Sequence, residues 1–174
     1  MNETIKTLIT RRSVRAYKPE QIKDEELMEV LKAGMYAPTG GNQQTPVLIA
    51  VQNPEDLKAL AEMNTKIAGS STDMYYGAPT AILVLADKTK GTPVEDGALA
   101  MGNMMNAAAS LGLGSCWINR EKEMFETPEG KAFLKKWNIP GDLIGVGACI
   151  LGYPASAENP EPAPRKEGYY YIIK

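Results

Sequence analysis

Residue patterns along the chain predict a single domain that combines helices with strands. Three apolar runs, Val47–Val51, Thr80–Ala86 and Leu143–Leu151, have the length and composition of buried strands. Between them lie segments with apolar residues at helical spacing, of which Val94–Leu111 is the longest. At 174 residues and 44% hydrophobic content the chain can bury a core of its own, so we expect one domain over residues 1–174.

Four further helices are predicted from apolar spacing and from helix start signals. Acidic residues occupy the first turn of the second one, and Asn53 followed by Pro54 is a strong start for the third. The four cover Asn2–Thr10, Asp24–Tyr36, Asn53 to about Asn64, and a segment that starts at Thr127 and carries Trp137. We expect residues 65–76 to be irregular, with Tyr75 and Tyr76 packed rather than lining a pocket.

The helix predicted over Val94–Leu111 carries apolar or small residues around much of its circumference. A helix of this kind is buried on more than one side. In a chain of this length the pattern favours a central helix shared with a partner subunit. A core helix of one chain is the alternative.

Two Gly-x-Gly sequences invite a dinucleotide-binding interpretation, and neither fits it. After Gly112-Leu113-Gly114 the third glycine position holds Trp117, and the segment leads from helix to strand, the reverse of the fingerprint order. Gly145-Val146-Gly147 lies inside an apolar strand. We therefore do not expect a Rossmann domain.

Composition narrows the chemistry and the partners. The absence of histidine removes Ser-His and Cys-His nucleophile pairs and most zinc and haem sites, and we expect no metal site. Cys116 and Cys149 lie in apolar, strand-like surroundings and are expected to be buried, reduced thiols. A net charge of −2 and a pI of about 5.3 disfavour a nucleic-acid binder. Without a membrane-length apolar run or a signal-peptide pattern, we expect a cytoplasmic protein.

The segment Arg11-Arg12-Ser13-Val14-Arg15 concentrates three guanidinium groups in an acidic chain. Arginine presents a fixed fork of donors that matches phosphate oxygens, and Ser13 adds a hydroxyl. On this segment alone, a phosphate site and a solvated basic rim are equally good interpretations.

Two other segments have unusual compositions. Ala37–Pro46 is longer than a typical loop of about 4–6 residues, and its Gly-Gly pair and amide side chains suit close contact with a heterocycle. A plain surface loop is the alternative. Pro154–Pro164 contains four prolines and is expected to form a semi-rigid arm that ends in Arg165-Lys166 and the strand-prone run Tyr169–Ile173. Such an arm is suited to add a strand to another subunit's sheet.

Four motifs follow one another along the chain: Arg11–Arg15, Ala37–Gln44, Leu111–Ile118 and the tail from Leu151 to Lys166. In this order and at these intervals they resemble the FMN-dependent nitroreductase family over essentially the whole chain. The resemblance implies an α+β fold with a mixed central β-sheet flanked by helices. It also implies a homodimer that holds two FMN molecules at the subunit interface, with the C-terminal arm, residues 154–174, exchanging its strand with the partner.

The resemblance assigns roles to individual residues. Arg15 would lie near the N1–O2 edge of the isoalloxazine, where a cation stabilises the anionic reduced flavin. Contacts to the phosphate or ribityl chain would come from Arg11, Ser13, Arg165 and Lys166, with Arg12 beside them. The residues that close over the flavin from the other subunit would be Pro38, Thr39, Gly40 and Asn42, with Gln44 orienting their loop. The wall along the ring would be the backbone of Cys116, Trp117 and Ile118.

The implied activity is hydride transfer from NADH or NADPH to flavin N5, and then to a nitroaromatic, a quinone or a similar electron-poor acceptor. No side-chain acid or base is obligatory, which suits a chain without histidine. Alternatives within the fold are a dehalogenase, an enone reductase or a flavin-fragmenting enzyme. A flavin-binding module for storage or redox sensing, with negligible turnover, is an alternative of a different class.

Two features depart from the family pattern. Thr45-Pro46 follows Gln44 where the family commonly has Pro-Trp, and the chain is too short for the long helical excursion that roofs the pocket in larger members. We therefore expect the roof to come from residues 65–76 or 119–126.

Overall fold

A four-stranded sheet lies at the centre of the chain in the computed structural model, which describes residues 1–156 and 160–174. The strands are β1 Pro46–Val51, β2 Thr80–Asp87, β3 Gly114–Ile118 and β4 Leu143–Gly152, in the order β1-β2-β4-β3. The three apolar runs predicted as strands are therefore confirmed, as is the strand that follows Gly112-Leu113-Gly114.

The predicted α+β arrangement of a central sheet with helices is confirmed, but the sheet is antiparallel in every strand pair of the described chain rather than mixed. The reason lies in the connections. The segment between β1 and β2 brings the chain back to the end of the sheet where β1 stops. Strand β2 therefore runs opposite to β1, and Val51 at the end of β1 pairs with Ala81 at the start of β2. Parallel pairing among the described residues is confined to one isolated bridge, between Ser13 and Ser115.

Six α-helices flank the sheet in the described chain, and a short 3-10 helix covers Gly40–Asn42. The α-helices are α1 Glu3–Thr10, α2 Asp24–Met35, α3 Pro54–Ala68, α4 Pro93–Ser110, α5 Glu121–Glu126 and α6 Pro128–Lys136. The start signals act as predicted, since the Asn53 side chain accepts a hydrogen bond from the backbone N–H of Asp56. Helix α3 runs four residues beyond the predicted end, because its stop is Gly69, which adopts the left-handed conformation (φ 63°) that glycine tolerates. Helix α5 was not predicted, since six residues are too few for a periodic signal.

Apolar side chains pack on both faces of the sheet, and β2 contributes to both cores. Its Leu83 and Leu85 join the core beneath α3 and α5, whereas Ile82 and Val84 join the core beneath α2 and α4. The two cysteines are buried free thiols, as predicted. They belong to different cores, Cys116 to the first and Cys149 to the second.

Several apolar side chains remain exposed in the single chain. Helix α4 buries Met101, Met104 and Ala108 but leaves Leu99 about half exposed. The others with large exposed fractions lie mainly on α1, at the two ends of α2 and in the C-terminal tail, and they include Ile5, Leu8, Ile9, Met28, Met35 and Tyr36. The apolar face of α1 and the outer side of α4 are therefore not covered by this chain itself.

The C-terminal arm starts alongside residues 16–18, where the backbone N–H of Ala155 donates to the carbonyl of Ala16. Within the predicted arm Pro154–Pro164, residues 157–159 lie outside the described part of the chain. The run Tyr169–Ile173 forms no strand in this one chain, and its side chains are 68–93% exposed. Exchange of this segment with a partner stays a prediction.

Among the helices of residues 1–156 and 160–174, none combines the length and apolar character that crossing a membrane would require.

Candidate functional site

The arginine-rich segment is attached to the outer edge of the sheet. The backbone N–H of Val14 donates to the carbonyl of Ser115 at 2.9 Å, next to the bridge between Ser13 and Ser115. The Val14 side chain packs where a Cβ at Gly114 would lie, at 2.9 Å, so that glycine permits the close approach. Ser13 and Arg15 are thereby held beside β3 with their side chains exposed.

A mainly basic cavity of about 670 Å³ is lined by Arg11 and Arg12 at the end of α1, by Arg165 in the tail and also by the acidic Glu161. The Arg12 guanidinium is used within the protein, because it donates to the carbonyls of Pro160, Ile9 and Arg11 at 3.0, 3.0 and 2.7 Å. In contrast, Nη1 of Arg11 is buried and has no hydrogen-bond partner among residues 1–156 and 160–174. A buried donor of a charged group without a partner costs free energy, so this atom requires an acceptor that the described chain does not supply.

The predicted tail residues separate in space. Arg165 lies in the basic cavity, but Lys166 is not part of its lining and instead has its Nζ 5.8 Å from the ring centroid of Tyr169. Ser13 is close in sequence to this cavity but outside its lining.

A second cavity, of about 430 Å³, lies on the other side of the arginine-rich segment and includes Arg15. Its wall is the end of β3 and the turn after it, from Cys116 to Arg120, so the three predicted wall residues Cys116, Trp117 and Ile118 lie together with Arg15. Opposite them, the Tyr76 ring has its centroid 6.0 Å from Cζ of Arg15. The lining contains two guanidinium groups and no carboxylate.

The segment from Ala68 to Tyr76 lines part of the second cavity, and residues 119–120 line another part. That these segments roof a flavin stays a prediction. The Asp73 carboxylate holds this loop by accepting hydrogen bonds from the backbone N–H groups of Tyr75 and Gly77, each at 2.8 Å. Tyr75 is buried, as predicted, whereas Tyr76 lines the cavity and has a left-handed backbone (φ 52°). The expectation that Tyr76 only packs was therefore wrong.

A buried carboxyl group lies behind the second cavity. The Glu121 side chain is fully buried, and its Oε1 accepts hydrogen bonds from the Tyr75 hydroxyl at 3.1 Å and from Asn64 Nδ2 at 3.3 Å. Burial raises the pKa of Glu121 to about 8, an effect that its own backbone N–H and the hydrogen bonds from Tyr75 and Asn64 reduce but do not cancel. Near neutral pH this group is therefore largely a neutral acid.

The amide-rich loop is folded tightly on α4. The Asp96 carboxylate accepts hydrogen bonds from the backbone N–H of Gly40 at 2.9 Å and from the hydroxyls of Thr45 and Thr92 at 2.8 and 3.1 Å. Burial raises the pKa of Asp96, but the three donated hydrogen bonds outweigh burial and leave the pKa below its usual range. Asp96 is therefore an ionised anchor for the loop.

Within this loop the hydroxyl oxygen of Thr39 accepts a hydrogen bond from the backbone N–H of Gln44 at 3.0 Å, and both Asn42 and Gln44 have left-handed backbones. The five residues predicted to close over a flavin from the partner line neither of the two cavities described above: Pro38, Thr39, Gly40, Asn42 and Gln44. The single chain thus brings the arginine-rich segment, β3 and the tail together, but not the loop.

The model of the nitroreductase family matches residues 8–158. A protein of Archaeoglobus fulgidus assigned as an NADH dehydrogenase/NAD(P)H nitroreductase is 37% identical over 167 residues, which cover 91% of this chain and 90% of the relative. The FMN reductase (NADPH) of Bacillus subtilis is 27% identical over 98% of this chain and 74% of its own length.

Solved structures give the same result. A Bacteroides fragilis nitroreductase with bound FMN superposes with a TM-score of 0.91 at 33% identity, over 100% of both chains. A nitroreductase with bound FMN from Desulfitobacterium hafniense superposes with a TM-score of 0.86 at 28% identity, over 99% of this chain and 100% of that one. The fold is therefore the nitroreductase-like α+β fold, as predicted. The chain belongs to the nitroreductase family, whose relatives named above are oxidoreductases.

Sequence reasoning did not identify three buried polar residues that organise the second cavity and the amide-rich loop: Asn64, Asp96 and Glu121. Asp96 lies in the first turn of α4, where an acid is ordinary. Glu121 and Asn64 resemble the exposed polar residues beside them in sequence. One signal for the burial of Asn64 was present in the sequence. Asn64 lies at helical spacing from Leu57, Leu60 and Ala61, and therefore on the apolar face of its helix.

Proposed function

We propose that this protein is an FMN-dependent oxidoreductase that takes hydride from NADH or NADPH and reduces a nitroaromatic, a quinone or a similar electron-poor acceptor. The observation that carries the proposal is the cavity that Arg11 and Arg165 line together, beside a buried Nη1 of Arg11 that has no hydrogen-bond partner in the described part of the chain. Two guanidinium groups around one space fit a phosphate, whose oxygens accept from such donors in pairs. The likeness to nitroreductases with bound FMN supports the identity of the phosphate compound.

In this proposal the residues divide the cofactor between the two cavities. Arg11, Ser13 and Arg165 hold the phosphate end, with Arg12 fixing the backbone beside them and Lys166 nearby. Arg15 lies beside the electron-accepting ring, where its positive charge favours the reduced, anionic form. The ring then runs along the backbone of Cys116, Trp117 and Ile118. Bound flavin supplies the hydride chemistry, while these residues bind it, orient it and adjust its potential.

The loop residues Pro38, Thr39, Gly40, Asn42 and Gln44 serve the same site from a partner subunit in this proposal. The exposed apolar side chains of α1, α2 and α4 support a second copy of this chain as the partner, because large apolar patches on a protein surface mark interaction sites. Sedimentation of the FMN-loaded protein is expected to give the mass of a dimer. A monomer mass at micromolar concentration would contradict this part of the proposal.

The cofactor is tested by visible absorption of the purified protein and by titration of FMN into the cofactor-free form. Arg11→Gln is expected to weaken FMN binding by about 10- to 100-fold, the effect of losing charge-assisted hydrogen bonds. The control is Lys18→Gln, which removes an exposed positive charge outside both cavities and is expected to bind FMN as the wild type does. Equal affinity of the Arg11 variant and the wild type would overturn the assignment of the phosphate site.

Turnover distinguishes an enzyme from a redox sensor. Under anaerobic conditions, NADH or NADPH oxidation is expected to depend on an added nitroaromatic or quinone. A protein that binds FMN but shows negligible oxidation of either nicotinamide would favour the sensing module instead.

A further inference from the structure

Glu121 joins three separate segments of the chain through one buried carboxyl group. It lies at the start of α5. Its side chain accepts hydrogen bonds from Asn64 on α3 and from Tyr75 in residues 69–77, which we call the roof loop. The backbone of β4 approaches from the other side so closely that a Cβ at Gly145 would lie 2.3 Å from the Glu121 carbonyl carbon. The Glu121 backbone is therefore packed tightly against β4, and its side chain lies in the interior.

The same three segments form walls of the cavity that contains Arg15. Asn64 and Ala68 come from α3, Tyr76 comes from the roof loop, and Asn119 comes from the turn after β3. Asn64 Nδ2 also donates to the carbonyl of Asn119 at 2.7 Å, so one amide group connects the buried acid to the wall of the cavity. A change at Glu121 is thereby transmitted to residues that line the cavity.

Two atoms of this cluster have no partner in the described chain: Oε2 of Glu121 and Oδ1 of Asn64. Neither lysine nor arginine forms an ion pair with Glu121 among residues 1–156 and 160–174. Two titratable groups lie around Glu121: the neutral Tyr75 from the roof loop and the acidic Glu123 on α5. The negative charge of Glu123 disfavours a second negative charge on Glu121. Helix α3 and strand β4 contribute only uncharged groups here, Asn64 and Gly145. An ionised Glu121 would thus be a buried charge without a counter-ion.

We propose that Glu121 is a positioning residue that holds the walls of the flavin cavity in place only while it is protonated, and that its ionisation weakens FMN binding. The inference rests on the proposed function. The physical reason is that a buried carboxylate must recruit water or move toward solvent. Either change breaks the contacts of Asn64 and Tyr75 that keep α3, the roof loop and the Asn119 turn together.

The test is the affinity for FMN of the cofactor-free protein between pH 6 and 9, measured by the quenching of flavin fluorescence. If only the protonated form binds well, wild-type affinity falls about tenfold from pH 7 to pH 9. Glu121→Gln, which stays uncharged at every pH, is expected to bind FMN at pH 9 about as well as at pH 7. Tyr75→Phe removes a donor that favours the ionised form, so its loss of affinity is expected at higher pH than in the wild type.

The matched control is Glu126→Gln, which changes an exposed acid on the same short helix that does not affect the pKa of Glu121, and it is expected to keep the wild-type pH profile. A pH-independent wild type, or a Glu121→Gln variant with the wild-type profile, would overturn the inference while leaving the flavin assignment intact. If the wild type fails to bind FMN even at pH 7, the proposed function itself is wrong. If Glu121→Gln fails to fold, Tyr75→Phe decides the question. A loss of FMN affinity at higher pH than in the wild type would support the inference, and a loss at lower pH, or at the same pH, would contradict it.

Discussion

Asp96 and Glu121 are both almost fully buried carboxyl groups, yet they are in opposite protonation states near neutral pH. Asp96 receives three hydrogen bonds of 2.8–3.1 Å from the loop and α4, whereas Glu121 receives two of 3.1–3.3 Å at one oxygen and none at the other. Burial alone raises the pKa of both groups. Depth differs as well, because Glu121 lies deep in the interior and Asp96 lies just beneath the surface, so depth and the number of donors together set whether a buried acid of this protein is charged.

The difference also separates the two parts of the candidate site. The loop predicted to serve a partner subunit is held by an ionised anchor, whose hydrogen bonds are complete within the chain. The cavity that contains Arg15 is backed by a neutral acid with an unpartnered oxygen. The first region is thus expected to lose its support in acid, and the second in base.

The largest expected effect concerns Glu121 and the pH dependence of stability. Its pKa is about 8 in the folded protein and about 4.5 ordinarily, so between these values the folded state holds a proton that the unfolded state has lost. The free energy of unfolding therefore decreases as pH rises through this window, by on the order of 4 kcal/mol in total. Urea unfolding from pH 5 to 9 should show this decrease in the wild type and a flatter profile in Glu121→Gln. Parallel profiles for the two proteins would show that Glu121 does not cause the pH dependence of stability.

A smaller but substantial effect is expected for Asp96→Ala. The substitution leaves the N–H of Gly40 and the hydroxyls of Thr45 and Thr92 without their acceptor, which should lower the melting temperature by on the order of 10 °C. Because the pKa of Asp96 is lowered by folding, the wild type loses this support as pH falls below the ordinary value of about 3.8, and the variant should lose less. Calorimetry at pH 3 and pH 7 measures both effects. The exposed neighbour provides the control, since Glu95→Ala should change the melting temperature little.

Local sequence signals predicted the elements that depend on local chemistry. The start of α3 at Asn53-Pro54 and the acidic first turn of α2 are examples, and the apolar run of β2 predicts a strand buried on both faces. The sequence analysis ended α3 at about Asn64, which is four residues too early. The helix continues through the polar residues Asn64 and Thr65 and ends at Gly69. These polar residues stay helical since one is buried against α5 and the other caps the roof loop through Met74 N–H.

The candidate site was predictable only in part. The resemblance to nitroreductases identified Arg15 and Cys116–Ile118 as neighbours, and the chain does bring them to one cavity. Their meeting depends on the bridge between Ser13 and Ser115, a contact across about a hundred positions that no local pattern encodes. The burial of Glu121 likewise depends on Gly145, because the lack of a side chain there lets β4 approach. This contact is tertiary, so the sequence around Glu121 does not predict its burial.

The position of β2 has a consequence for how the protein opens. Since alternate residues of this strand complete the cores on both faces of the sheet, neither core can form or separate without it. The loop anchored at Asp96 lies on the α2 and α4 side, and the Glu121 cluster lies on the α3 and α5 side. Local unfolding that reaches β2 must therefore disrupt both at once, and the backbone amides of β2 should be among the last in the chain to exchange with solvent.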